Sequence, residues 1–244
     1  MRFRRIVAAG PSSVRPLHPP LYELARDLWI AERHQRFYGL EVGTRMTVVR
    51  LARGDLLLHS PVALDAELRR ELDALGRVRF VVAPNRVHHL YAGEVARFYP
   101  EARLWVAPGL DRKRPDLAFV AVLGDEAPDE WKGELDQTFF RGRPYENEVV
   151  FLHRASRTLV LCDLAFNFGS RAAAPTRWLM KLIRSYGRFG PSRLDPLLIR
   201  DRAAARGSLE RILAWDFDRV VVAHGDVLET GGHAILSDGY DWLR

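Results

Sequence analysis

The sequence predicts an α/β fold of four layers, an αββα sandwich in which two mixed β-sheets pack face to face between helices. Short apolar runs rich in Val and Leu and bounded by turn residues are typical of buried strands. These runs alternate with stretches of helical periodicity. The order also repeats, since VVRLARGDLLLH and RFVVAPN in the first half are matched by VVFLHRASRTLVLCD and RVVVAHGD in the second. Two similar halves, each strand-rich and then helical, predict two packed sheets with helices outside.

Residues 1–43 are predicted as an N-terminal arm followed by a helix that packs on the domain. Residues 1–20 contain four prolines and show no periodicity. The next stretch, LYELARDLWIA, has apolar residues at helix-like spacing, although it could also run on in extended form. The domain itself is predicted at residues 44–244, with a basic helical insertion at about 171–215.

The first half of that domain is predicted to form a hairpin, then two helices that alternate with two strands. A glycine is suited to end the first helix. The stretches are, in order, MTVVRLARGDLLLHS, LDAELRRELDALG, VRFVVAP, GEVARFYP and ARLWVAP. In the second half we expect short strands, a second hairpin, helices broken near Gly187 and Gly190, a last strand and a closing helix. The strand-forming stretches are DLAFVAVLG, LDQTFFRG, NEVVFLHRASRTLVLCDLAFN and RVVVAHGD.

The composition is that of an ordinary globular protein, with 48% hydrophobic and 28% charged residues. No apolar run reaches the roughly 18 residues that span a bilayer. The apolar stretch near the N-terminus, IVAA, is too short for a secretory signal, so we expect a cytoplasmic protein. The single cysteine, Cys162, rules out an intramolecular disulfide and is expected to be a buried apolar residue.

The net charge of +6 is concentrated between residues 171 and 206, where nine basic residues face two acidic ones. Such a stretch could attract phosphate, nucleic acid or an anionic membrane, or it could be a solvated helical face. Within it, TRWLMKLIRSYGRFG mixes apolar and basic residues at helical spacing. This part could be a lid over a site, a contact with a second subunit, a membrane-surface helix or an amphipathic helix packed on the sheet.

Four of the predicted strands end in the same way, with a residue that can bind a metal just beyond the apolar run. His59 follows LLL, His88 and His89 follow RFVVAPNRV, Asp163 follows TLVLC, and His224 follows RVVVA. Ligand sites in α/β proteins collect at the ends of strands. The recurrence therefore predicts a single metal site at one rim of the sheets. No nucleophile-elbow or phosphate-loop motif occurs, which argues against a nucleophilic triad.

The order of hairpin, strand-to-HH turn, hairpin-to-Asp and strand-to-HG turn resembles the metallo-β-lactamase fold superfamily from about Thr44 to the C-terminus. Within it, the sequence is similar to an uncharacterised branch with an altered metal motif. The defining THxHxDH segment falls on Ala83–His89, where Pro84 and Arg86 replace the first two histidines. The family's histidine before the second hairpin is missing from RGRPYENE.

The resemblance implies that one of the family's two metal sites is lost and that the ligands of the other are retained. Those ligands would be His88, His89, Asp163 and His224. Adjacent residues of an extended strand point in opposite directions, so both histidines can bind only if a turn brings them together; otherwise one binds and one packs. Three imidazoles and a carboxylate suit Zn²⁺, or Fe²⁺ and Mn²⁺ if a position stays open.

The surrounding residues have supporting roles in this interpretation. We expect His59, Asn85, Glu148 and Asp226 to orient the ligands or to form the turns that carry them. Arg86, paired with Glu146 or Glu148, could bind the anion of a small-molecule substrate in place of the lost metal.

The resemblance implies a mononuclear metal-dependent hydrolase, in which Asp163 either binds the metal or acts as a base. Two alternatives remain open at this point. The fold could have lost its metal and chemistry and serve as a binding or scaffold protein, whose partner surface would be the basic stretch. It could also hold a mononuclear iron for redox chemistry. Neither the substrate nor the metal follows from the sequence.

Overall fold

The computed structural model describes residues 21–244, which form two β-sheets and the helices that cover them. The strands of the first half are β1 (Tyr22–Ala25), β2 (Leu28–Arg33), β3 (Arg36–Phe37), β4 (Leu40–Glu41), β5 (Thr44–Arg50), β6 (Asp55–His59), β7 (Arg77–Ala83), β8 (Arg103–Val106) and β9 (Ala121–Val122). Those of the second half are β10 (Leu135–Phe139), β11 (Val149–His153), β12 (Thr158–Val160) and β13 (Arg219–Val221). The helices are α1 (Ala66–Leu75), α2 (Ala92–Phe98), α3 (Leu110–Lys113), α4 (Ala174–Leu182), α5 (Asp195–Leu198), α6 (Arg202–Leu213) and α7 (Gly232–Gly239), with a final 3-10 turn at Asp241–Leu243.

The larger sheet has seven strands in the order β1-β2-β5-β6-β7-β8-β9, and strands β6 to β9 run parallel. Parallel neighbours need a crossover, which α1 supplies between β6 and β7 and α2 between β7 and β8. Alternate residues of each strand face opposite sides: Val48 packs under the helices with Leu68 of α1, whereas Val49 faces the other sheet.

The smaller sheet has the order β10-β11-β12-β13, with β12 and β13 parallel. Its inner face packs on the larger sheet through Val149 and Phe151. Its outer face, including Val150, packs with Leu209 of α6 and Leu236 of α7. Three apolar clusters therefore separate four layers, and the predicted αββα sandwich is confirmed.

The predicted helix in LYELARDLWIA is wrong, because this segment forms β1 and β2. Asp27 has a positive φ of 63° at the turn between them, a conformation that Asp tolerates better than most residues. β2 pairs along its whole length with β5, and residues 28–31 are all buried. The apolar spacing that imitates a helix is thus that of a strand covered on both faces. The arm predicted for residues 1–20 lies outside the described residues.

The basic stretch at 171–215 contains helices, as predicted, but they have different places in the fold. α6 packs on the smaller sheet through Ala205, Leu209 and Ile212 and so belongs to the outer layer. α4 and α5 instead lie near the ends of the strands, and the Thr176 hydroxyl donates a hydrogen bond to the Glu41 carbonyl of β4. Among residues 21–244, no helix is long and apolar enough to cross a bilayer.

Candidate metal centre

Three predicted ligands meet where the parallel strands of both sheets end. His88 lies in the turn after β7, Asp163 follows β12, and His224 follows β13. These strands end at the same rim, so residues distant in sequence become neighbours. Within residues 21–244, His88, Asp163 and His224 form the group whose donor atoms lie close enough to hold one metal ion.

The three residues form a triangle, with one imidazole nitrogen at each of two corners and the two oxygens of the Asp163 carboxylate at the third. His88 Nε2 lies 3.2 Å from His224 Nε2 and 3.5 Å from Asp163 Oδ2. His224 Nε2 lies 3.6 Å from Asp163 Oδ1. Tetrahedral zinc with bonds of about 2.0–2.1 Å has ligand atoms about 3.4 Å apart. These separations are close to that value, so the three residues lie close enough to share one metal ion, and further coordination positions are left for a ligand from outside this set.

Each imidazole is held through the nitrogen that faces away from the triangle. His224 Nδ1 donates a hydrogen bond of 2.7 Å to the Gly43 carbonyl. His88 Nδ1 lies 2.9 Å from the hydroxyl of Ser60, a residue with a positive φ just past β6. The Gly43 carbonyl can only accept, so it fixes His224 as the tautomer that leaves Nε2 free to bind a metal, while the Ser60 hydroxyl orients the His88 ring. Both Nε2 atoms are thereby presented to the centre.

Asn85 joins the turn that carries His88 to Asp163. Its side-chain oxygen accepts hydrogen bonds from the backbone N–H groups of Val87, at 2.8 Å, and His88, at 2.6 Å. Its amide nitrogen donates to Asp163 Oδ2 at 2.8 Å and to Glu148 at 3.2 Å. Asn85 is fully buried. One side chain thus sets both the backbone turn and the carboxylate, which places it where the sequence predicted a supporting residue.

Glu148 fixes the backbone of Asp163. Its carboxylate accepts hydrogen bonds of 2.7 Å from the N–H groups of Cys162 and Asp163. Burial, and then the charge of Asp163, raise the pKa of Glu148. Burial would also raise the pKa of Asp163, but the charge of His88 and hydrogen bonds from both histidines hold it well below its usual range. Asp163 is therefore the ionised carboxylate of the pair, as a metal ligand must be.

The loop that carries His224 is tied to the larger sheet. Arg45 of β5 is buried and donates hydrogen bonds to the carbonyls of Val222 and Gly225 while it pairs with Glu32. Gly225 has a φ of 91°, and a Cβ there would lie 2.2 Å from the Asn167 carbonyl. The glycine after the histidine is thus required by a close backbone approach.

His89 does not join the group. Its Nδ1 lies 3.1 Å from the Arg114 guanidinium, although its ring also borders the cavity described below. Burial, and then the charges of Lys113 and Arg114, lower the pKa of His89 to about 4. Of the two alternatives for the HH pair, the structure favours one histidine at the centre and one packed beside it.

Arg86 does not have the surroundings expected of it. Its guanidinium donates a hydrogen bond of 2.6 Å to the Pro144 carbonyl, and it pairs with neither Glu146 nor Glu148. The buried guanidinium beside the centre is that of Arg143, which donates to the Asp163 carbonyl at 2.9 Å. Arg143 Nε also pairs with Glu146 at 3.0 Å. The segment RGRPYENE, noted for lacking a histidine, thus supplies a different cation.

The remaining two residues predicted to support the ligands, His59 and Asp226, have different roles. His59 is buried in a T-shaped contact with Phe151, and burial lowers its pKa to about 3, so it is a neutral packing residue. Asp226 pairs with Arg171, with Arg171 Nε 2.7 Å from its carboxylate, and so anchors the residues that follow His224.

A cavity of about 580 Å³ opens over the centre, with the three donors among its lining residues. Most of the lining is apolar and comes from the β3–β4 hairpin, α4 and the residues before α6. Representative apolar residues are Leu40, Val42, Phe166, Phe168, Met180 and Ile183. The volume lies within the usual range for small-molecule sites, roughly 300–1,000 Å³.

Several residues of the centre were not predicted from the sequence. They are Arg143, Ser60, Gly43 and Arg45, and all act through contacts with residues at least 20 positions away. Only Arg143 carried a signal, since it occupies the segment in which the resemblance expects a histidine. The other three contact the centre through a backbone carbonyl of Gly43, the hydroxyl of Ser60 and the guanidinium of Arg45, and none of them lies in a recognisable motif.

Solved structures similar to this chain include metallo-β-lactamases and a flavodiiron core. The chain is similar to the DIM-1 metallo-β-lactamase, with 14% identity and a TM-score of 0.63 over 93% of this chain and 97% of that one. It is similar to FIM-1 from Pseudomonas aeruginosa in its mono-zinc form, with 12% identity and a TM-score of 0.59 over 93% of each chain. The Flv1 flavodiiron core from Synechocystis sp. PCC6803 gives 13% and 0.63 over 92% of this chain and 62% of that one.

These similarities show that the chain has the metallo-β-lactamase fold, as the resemblance implied. At such identities they show the fold alone. No curated protein matches the sequence. A family model described as a domain of unknown function, DUF4336, matches residues 25–178, and the chain belongs to that family.

Proposed function

We propose that this protein is a mononuclear metal-dependent hydrolase whose metal ligands are His88, Asp163 and His224. The observation that carries the proposal is the close approach of these residues: the two Nε2 atoms are 3.2 Å apart, and they lie 3.5 and 3.6 Å from Oδ2 and Oδ1 of Asp163, respectively. Two imidazoles and a carboxylate are a common set for catalytic zinc, which keeps an open position for water. The cavity above the triangle gives a substrate access to that position.

A bound Zn²⁺ would supply Lewis acidity and lower the pKa of a bound water to about 7. The chain's own residues prepare the site for it. Asn85 and Glu148 hold Asp163 in place, and the low pKa of that carboxyl keeps it ionised. Ser60 and Gly43 orient the two imidazoles. In this proposal Asp163 serves as a ligand rather than as the base.

The position of Arg86 does not support the anionic substrate expected from the sequence. An anion bound by Arg86 has no support, because that guanidinium contacts the Pro144 carbonyl. Arg143 is also engaged within the protein, because it pairs with Glu146 and donates a hydrogen bond to the Asp163 carbonyl. With an apolar lining above the donors, the cavity suits a largely apolar small molecule whose polar group reaches the centre.

The donor set itself favours a second candidate. Two histidines and one carboxylate with open positions also form the facial triad of non-haem Fe²⁺ enzymes. On this alternative the same three residues hold iron, and the reaction is a redox reaction instead of a hydrolysis. The geometry of the donors is common to both candidates, so the metal that binds with catalytic consequence decides between them.

Metal analysis of the purified full chain tests the proposal. We expect about one equivalent of metal per chain after incubation with Zn²⁺, or with Fe²⁺ without oxygen, and little in Asp163→Ala and His224→Ala. His89→Ala is the matched control, because this residue borders the cavity outside the triangle and should retain the metal. Ester hydrolysis by the zinc form supports the hydrolase, whereas substrate-dependent oxygen consumption by the iron form supports the alternative.

Metal content below about 0.2 equivalents after both incubations, with no change in melting temperature on adding metal, would contradict both candidates. That result would favour the metal-free binding protein.

A further inference from the structure

Most of the large apolar side chains that are exposed in the described part of the chain lie on the segments that line the cavity. Twelve large hydrophobic residues are exposed in the described part of the chain, and eight lie on segments that line the cavity. These eight are Phe37, Tyr38, Leu90, Tyr145, Trp178, Leu182, Leu194 and Leu197. Exposed apolar side chains concentrated on the segments around one site indicate an interaction surface.

Helix α4 is apolar on two sides. Leu179, Met180 and Ile183 line the cavity. Trp178 and Leu182, one turn apart, are 70% and 62% exposed. Packing on the domain accounts for the apolar residues that line the cavity but leaves Trp178 and Leu182 uncovered. When the outer side of a surface helix is also apolar, that side is normally covered by a protein partner or a lipid surface.

The same region is strongly basic. Residues 164–194 contain six basic residues and no acidic one. Arg171 is paired with Asp226, but Lys181, Arg184, Arg188 and Arg193 are exposed and form no ion pair within residues 21–244. Cations interspersed with exposed Trp and Leu side chains complement an anionic lipid surface, where the cations meet head groups and the apolar side chains enter the interface.

A membrane explains these observations better than nucleic acid does. Single-stranded nucleic acids are bound by aromatic side chains that stack on bases. Here the exposed apolar side chains nearest in sequence to the basic residues are mostly aliphatic, namely Leu182, Leu194 and Leu197, and offer no stacking surface. The aromatic residues of the same surface, Phe37, Tyr38 and Trp178, include the Trp and Tyr types that are enriched at membrane interfaces. The amphipathic setting of the leucines, with Trp178 among them, is that of interfacial helices.

We propose that α4, α5 and the β3–β4 hairpin dock this protein on an anionic lipid bilayer, and that the cavity takes an amphiphile with an apolar tail from it. The docking half stands on the exposed surface alone. The second half, which names the substrate class, rests on the proposed function, because the polar end of the amphiphile would meet His88, Asp163 and His224.

Vesicle binding by the full chain tests the docking half. With phosphatidylcholine vesicles that contain phosphatidylglycerol, we expect binding that weakens as salt rises, and much weaker binding without phosphatidylglycerol. Lys181→Gln with Arg184→Gln should lower the partition coefficient about tenfold or more, since each charge near the surface contributes. Arg70→Gln with Arg97→Gln, on the exposed faces of α1 and α2, is the matched control and should have little effect.

The apolar contribution needs a separate variant. Trp178→Ser with Leu182→Ser should reduce vesicle binding roughly tenfold at every salt concentration. Val120→Ser, an exposed apolar residue beside β9, should have no effect. Absence of binding to anionic vesicles at low salt, indifference to the Trp178 and Leu182 changes, salt-sensitive binding to single-stranded DNA in its place, or a dimer that those changes dissociate would each overturn the docking proposal.

A dansyl-labelled fatty acid tests the cavity half. We expect saturable binding, reduced at least tenfold in Ile183→Trp, which narrows the cavity, with vesicle binding unchanged. Equal probe binding in both proteins would contradict this half. Asp163→Ala keeps the two proposals apart, because it should lose metal yet still bind vesicles. Vesicle binding by a wild-type chain that takes up no metal would leave docking intact and reject only the hydrolase.

Discussion

The floor and the rim of the cavity are built in opposite ways. The floor, which comprises Asn85, His88, Glu148, Asp163 and His224, is polar, and every member is hydrogen-bonded to another residue of the site. The rim, formed by α4, α5 and the β3–β4 hairpin, carries exposed apolar and basic side chains. Polar groups buried in a low dielectric must be satisfied, and a satisfied network fixes one geometry. The comparison indicates that the floor determines the chemistry and the rim determines what reaches it.

The largest stability effect is expected where the floor is tied to the larger sheet. Arg45→Met removes a buried guanidinium and leaves Glu32 and the carbonyls of Val222 and Gly225 without it. We expect the free energy of unfolding to fall by about 3–5 kcal/mol in urea denaturation. Arg26→Met, at a residue whose side chain is 95% exposed, is the control and should change it by less than about 0.5 kcal/mol. Equal losses in the two variants would show that Arg45 is not a structural tie.

Next in size is the effect of removing the residue that joins two ligands. Asn85→Ala removes the hydrogen bonds to the His88 turn and to Asp163. Metal affinity should fall about 10–100-fold, the range found for residues that orient ligands. Competition with a fluorescent zinc chelator measures it. Unchanged affinity, with the fold intact by circular dichroism, would mean that the floor does not depend on this residue.

A pH effect on stability is expected from His59. Burial lowers its pKa to about 3 from 6.5, so the folded state favours the neutral ring. Its stabilising effect is complete above pH 6.5 and is lost as the pH falls toward 3. When the pH falls from 7 to 5, the free energy of unfolding of the metal-free protein should decrease by about 2 kcal/mol more in the wild type than in His59→Phe. Parallel losses in both proteins would contradict a neutral, buried His59.

The smallest effect is expected at the rim. Trp178 and Leu182 are largely exposed, so replacing both with Ser should change the free energy of unfolding by no more than about 0.5 kcal/mol per residue. Thermal and urea denaturation would check it. A loss of several kcal/mol would show that α4 is part of the folding core, and the contrast between floor and rim would then fail.

The strand framework could be predicted because its residues are explained by local patterns. The Val- and Leu-rich runs of β5–β6 and β11–β12 form the predicted hairpins, and both end at the site. A helix was wrongly predicted for the segment of β1 and β2 because four consecutive buried residues can imitate helical spacing over so short a length. Burial on both faces is decided by neighbours that are distant in sequence.

The site was predicted in part for a similar reason. Three of the four expected ligands meet, since each lies at the end of a strand. Which histidine of the HH pair turns inward depends on the hydrogen bond from the His88 N–H to Asn85, and neither residue type reveals it. Arg143 lies beside the centre in place of the expected Arg86 because the loop that carries Arg143 packs against Asp163. Such contacts become apparent only when the strands are assembled.

Metal stoichiometry of the full chain is the most direct test of the central claim, that His88, Asp163 and His224 hold one metal ion. Elemental analysis after incubation with Zn²⁺ or anaerobic Fe²⁺ and gel filtration should give about one equivalent, and Asp163→Ala should give almost none while His89→Ala keeps it. Two equivalents, or the same content in Asp163→Ala as in the wild type, would contradict the claim.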